Sequence, residues 1–130
     1  MNPTFIPGRY NNFRKPRTWF YQEGILQIPA SVTPWFRFPL FWLSYHNLPA
    51  RLYRWLAAWT LRKDSYIVVY FHPSEFTDLK ARKEFNLPFI ITNQSGEGMI
   101  KRLGDLVDYF HRKEERFVTF STFIAEKVKV

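Results

Sequence analysis

One uninterrupted run, Tyr66-Ile67-Val68-Val69-Tyr70-Phe71, constrains this chain more than any other feature. Six β-branched or aromatic residues in a row predict a strand buried on both faces, because a half-exposed strand would alternate with polar residues. His72 and Pro73 close the run. Proline has no N–H to give to a ladder, so the strand must stop there. His72 is then the last side chain before the chain leaves the sheet. In α/β folds, ligands gather at the carboxyl ends of strands. A titratable imidazole at that point, with Glu75 three residues on, is the leading chemical candidate.

The surrounding pattern reads as a scaffold for this strand. Residues 1–23 are punctuated by Pro3, Pro7-Gly8, Asn11-Asn12 and Pro16, with rings between the breakers. So aromatic a loop must pack on something. Ile25 to Ala30 reads as a short strand. Pro34 and Pro39 allow only short helical turns over residues 32–48. Leu52, Tyr53, Leu56 and Trp59 make an apolar stripe on a helix from about 49 to 63. Thr77-Asp78 opens a turn of helix over residues 79–84. Ser95 reads as the N-cap of a helix from about 96 to 114, with Met99, Leu103, Leu106, Val107 and Phe110 at helical spacing. Phe117 to Phe120 predicts a strand, and Ser121-Thr122 the cap of a last helix. The expectation is one α/β domain over 1–130, with three strands too few to close a sheet. The chain therefore reads as part of a larger sheet.

Composition excludes several chemistries. There is no cysteine among the 130 residues, hence no disulfide framework, thiol nucleophile or Cys metal site. The three histidines, His46, His72 and His111, lack a second ligand at the spacing of a helical metal site. No Gly-x-Ser-x-Gly elbow is present, and Gly96-Glu97-Gly98 lacks the lysine and spacing of a phosphate loop. The net charge of +8 suits an acidic partner. No nucleic-acid motif accompanies it, so nucleic acid is not the expected partner. Phe36 to Leu48, the most apolar stretch, is too short and too interrupted to span a membrane. The N-terminus carries no signal pattern, which alone would read as cytoplasmic.

Three stretches carry a family resemblance: Asn2 to Tyr10, Ile25 to Ser31, and Val69-Tyr-Phe-His-Pro-Ser-Glu-Phe76. In this order they resemble the C-terminal half of bacterial polysaccharide deacetylases of the NodB-homology type, carbohydrate esterase family 4-like proteins. Asn93 to Ala125 resembles that family's closing helix, short strand and last helix. Ser74 departs from the Trp common there, and Gln27 from a frequent Glu. The resemblance implies a partial (β/α) barrel, TIM-barrel-like, and removal of acetyl groups from N-acetylated cell-wall or capsular glycans. It makes His72 the general acid that protonates the leaving amine. Ile28 and Pro29 would line the sugar groove, Trp35 and Trp42 would offer stacking surfaces, and Glu75 would join the substrate side. The family holds a zinc-like divalent metal on an Asp and two His and uses a further Asp as base. Neither its Asp-Asp pair nor its His-x-x-x-His segment occurs here. The expectation is half of an active site, inactive alone, whose metal-binding part a missing N-terminal half or another chain would bring. A non-catalytic glycan-binding domain with an aromatic groove is the alternative.

Overall fold

The computed structural model describes residues 14–128. The resemblance over Asn2 to Tyr10, and most of the 1–23 loop, lie outside them. The described chain runs β1 (Phe20–Gln22), β2 (Ile25–Gln27), α1 (Trp42–Asn47), α2 (Ala50–Asp64), α3 (Phe89–Thr92), α4 (Glu97–His111) and α5 (Phe120–Lys127). Two 3₁₀ turns, Pro73–Phe76 and Lys83–Phe85, sit between α2 and α3.

This architecture corrects the expected partial (β/α) barrel. It is an α-rich fold, and its one sheet among the described residues is the antiparallel β1–β2 hairpin. Phe20 pairs with Gln27 and Gln22 with Ile25, around a turn in which Glu23 and Gly24 both take positive φ. The reason lies in pairing rather than in local preference. Residues 66–72 do leave α2 extended, and His72 has φ −100° and ψ 139°. However, the segment joins no ladder. Its middle is tethered at Val68, whose carbonyl accepts from the Ser31 N–H (2.9 Å) and whose N–H donates to Ser31 Oγ (2.8 Å). β-Propensity shapes the segment, but a sheet needs a neighbouring strand. Phe117 to Thr119 is likewise irregular, and Thr119 instead caps α5 by accepting the Thr122 N–H at 3.2 Å. Residues 79–82 form a turn on the Asp78 carboxylate rather than a helix.

The core sits between α1, α2 and α4. Leu40, Tyr45, Tyr53, Ala57, Met99, Leu106 and Phe110 are its buried members. On α2 the inward stripe is Tyr53, Ala57 and Thr60, one step round from the Leu52–Leu56–Trp59 face. Small Ala57 and Thr60 let α4 come close, while Trp59 stacks on exposed Trp55 at 5.8 Å. The Tyr45 and Tyr53 rings meet edge to face at 4.6 Å, and Phe71 closes on Tyr45 at 5.3 Å. The Tyr53 hydroxyl donates to the Leu40 carbonyl at 3.1 Å, and the Tyr45 hydroxyl donates to the Arg102 carbonyl. Arg102 in turn donates to the Tyr45 and Leu48 carbonyls, closing the C-terminal end of α1.

Gly96 precedes α4 at φ +81°, and a Cβ there would lie 3.3 Å from the Asp78 backbone. Gly96, and not Ser95, is thus the N-cap. Ser95 instead accepts the Leu79 N–H and donates to the Thr92 carbonyl. No helix among the described residues is long and apolar enough to cross a membrane.

Two outcomes follow from this packing. Met99→Ala empties a fully buried site and lowers the unfolding free energy by about 2–5 kcal/mol in urea titrations. Burial pushes the Tyr45 phenol up to about 12, above its ordinary value near 10. The unfolded chain then ionises first as pH rises. Stability contributed by Tyr45 is full below about pH 10 and falls away up to about pH 12, which denaturant midpoints across that range read directly.

Candidate functional site

The site is built on the turn that ends the extended run. Pro73 supplies the fixed φ that suits a first helical position, and Glu75 reaches back over the turn. Its Oε1 accepts the His72 N–H at 2.8 Å, while the Glu75 N–H donates to the His72 carbonyl at 3.0 Å. This reciprocal bonding closes the turn as a capping box closes a helix start. The Glu75 carbonyl accepts the Gly96 N–H at 2.9 Å, tying the turn to the start of α4.

Glu75 is 1% exposed. Its second oxygen, Oε2, lies 3.4 Å from His46 Nε2 on α1. Neither atom has a hydrogen-bond partner among the described residues, and both are buried. His46 Nδ1 contacts the Asn93 carbonyl, and Asn93 Nδ2 donates to the His46 carbonyl at 3.2 Å. A carbonyl can only accept, so Nδ1 carries a proton. Nε2 then faces a carboxylate oxygen across 3.4 Å. A buried pair of this kind is costly to break, because removing one member strands the other in a dry site.

The exposed part of the site is a ring cluster. The His72 imidazole is exposed and meets the Trp42 indole edge to face at 5.2 Å and the Tyr70 ring at 5.9 Å. Trp42 also meets His46 at 5.7 Å, so one indole touches both imidazoles. Phe41 extends the surface at 6.5 Å from Tyr70. Burial, and after it the Glu75 carboxylate, hold the Tyr70 phenol above its ordinary value. Tyr70 therefore remains a neutral hydrogen-bond donor. Aromatic faces beside polar tips of this kind suit a ligand with both C–H faces and hydroxyls.

The structure thus brings His72, Glu75 and Trp42 together. Glu75 is turned inward, where it shapes the turn rather than presenting its carboxylate to a substrate. Trp35 lines a different hollow, with Arg17, Arg37 and Lys63. Ile28 is half-buried and Pro29 buried, next to the Ser31 tether of the extended run. His111 is exposed at the end of α4. His46 and Tyr70 are the members that sequence reasoning did not place in the site. The Pro73-x-Glu75 spacing signals the closed turn, but nothing within a single sequence joins His46 to a carboxylate 29 positions away.

Among the described residues no group of three or more His, Asp or Glu converges to hold a metal ion. The described residues therefore do not fit the zinc-like metal that the resemblance implies, and no step is derived through one. No family model matches the chain, and no curated protein or solved structure does so either.

Breaking the buried pair separates its two functions. Glu75→Ala strands His46 and opens the turn, lowering the unfolding free energy by about 3–5 kcal/mol. Glu75→Gln keeps an acceptor for the His72 N–H and can donate to a neutral His46 Nε2, so its cost stays near 1 kcal/mol. Equilibrium urea unfolding of both variants gives the comparison.

Proposed function

We propose that this chain carries the proton-donating, aromatic-walled part of a site that removes acetyl groups from an N-acetylated cell-wall or capsular glycan. His72 is the general acid that protonates the leaving amine. Trp42 and Tyr70 form the surface on which a sugar ring lies. The metal ligands and the base would come from residues other than the described ones, on a partner chain. The observation that carries this reading is the exposed His72 ring set between Trp42 and Tyr70 on a turn locked from beneath by Glu75. A general acid must be positioned and open to its substrate; the Glu75 bond to the His72 backbone and the exposure of the ring support that role. The resemblance of Val69 to Phe76 to the NodB-homology deacetylases supports the same assignment.

The described residues' lack of a metal-holding group favours a second reading, a glycan-binding domain that performs no chemistry. The two differ in what His72 does.

Titration of the chain with N-acetylated chito-oligosaccharides, followed by NMR, is expected to shift the Trp42 and His72 resonances. Trp42→Ala should weaken binding about tenfold. Deacetylation should occur only when a polypeptide bearing the metal ligands and base is co-expressed, and His72→Ala should then lower kcat about 10²–10⁴-fold. Binding that survives His72→Ala, with no deacetylation under any complement, selects the second reading. Absence of glycan binding overturns both.

A further inference from the structure

Residues 31–40 form a narrow antiparallel excursion whose stem is rigid. The Thr33 N–H donates to the Phe38 carbonyl at 2.8 Å and the Leu40 N–H to the Ser31 carbonyl at 3.0 Å. Val32 bridges to Pro39, and Thr33 Oγ1 accepts the Phe38 N–H at 3.0 Å. Val32, Thr33, Pro39 and Leu40 are all buried. The tip is the opposite: Trp35 is 82% exposed and Phe36 73%. Two large adjacent rings left in water on a well-anchored stem call for a reason.

Cations surround the tip. Among the described residues a hollow of about 390 Å³ is lined by Arg17, Pro34, Trp35, Arg37 and Lys63, three cations of which Arg17 is paired with Asp64. Arg17 is held by Asp64 (Nη1–Oδ2 3.0 Å) and donates to the Val32 carbonyl, so its guanidinium is fixed beside the stem. Arg37 takes a positive φ of 51° and donates to the Lys15 carbonyl at 2.7 Å, which brings the Arg14-Lys15 segment alongside. Burial, and after it the charge of Arg17, lower the Arg37 pKa, a sign that two guanidiniums share this hollow.

We propose that this tip docks the protein on an anionic membrane surface, with Trp35 and Phe36 entering the headgroup layer and Arg17, Arg37 and Lys63 receiving lipid phosphates. The geometry favours a bilayer over an acidic glycan. A sugar-stacking ring forms the wall of a groove, whereas these two rings protrude. Indole and phenyl groups gain most at the boundary between headgroups and acyl chains, and neighbouring cations add attraction to anionic lipid. This role is independent of the His72 site, which uses Trp42.

The test is sedimentation of the full chain with vesicles of phosphatidylcholine alone or with 30% phosphatidylglycerol. Binding is expected to the anionic vesicles only and to weaken as salt is raised. Lys63→Ala should lower the partition coefficient about fivefold, as for one cation near the surface. The double variant Trp35→Ala/Phe36→Ala should lower it more than tenfold, since both rings that enter the interface are removed. Both rings are exposed, so circular dichroism of the double variant should match the parent. Failure to bind anionic vesicles overturns the proposal. So does binding that both variants leave unchanged, and so does equal affinity for glycerol phosphate free in solution or for an acidic oligosaccharide.

Discussion

The Glu75 carboxylate is the contact on which the rest of this structure depends. One oxygen closes the turn at His72, and the other faces His46 inside the protein. The same residue's carbonyl receives the Gly96 N–H at the start of α4. Through His46 it reaches α1, and through His46 and Asn93 it reaches the end of α3. A single buried acid therefore joins the turn to three helices. Remove either Glu75 or His46 and the other is left in dry surroundings without its counterpart. That coupling fixes the backbone from which the His72 ring projects.

The ring cluster gains its shape from the same place. Trp42 touches His46 on its buried side and His72 on its exposed side. The aromatic load of the chain, 20% of residues, is spent partly on the Tyr45–Tyr53–Phe71 core and partly on this exposed wall. The basic hairpin tip at Trp35 is a separate use of rings and cations on a stem of its own.

How much of this could be read from sequence depends on the range of the interactions. Helices α2 and α4 announce themselves, because apolar residues at helical spacing set both their existence and their ends within a few positions. Of the expected stripe on α2, Tyr53 is buried and Leu56 packs against the core while Leu52 is exposed; Ala57 and Thr60 also face inward, which a count of large apolar residues overlooks. The Tyr66 to His72 run is legible as extended and as ending at Pro73. Its incorporation into a barrel is not, because strand pairing is a long-range fact and the chain offers Val68 only Ser31. The barrel expected from the family resemblance is absent for that same reason. At the site, His72 stands out from its position alone. Glu75 is legible as a neighbour but not as a buried one, and its meeting with His46 leaves no trace in local pattern.

The most direct test of this account is the protonation of His46, read by long-range ¹H–¹⁵N NMR correlations of its ring. A buried ring bonded to the Asn93 carbonyl and facing Glu75 should show a proton on Nδ1 that exchanges slowly with water, and an Nε2 resonance that moves in Glu75→Gln. A bare Nδ1 with the proton on Nε2, unaffected by Glu75→Gln, would contradict the account.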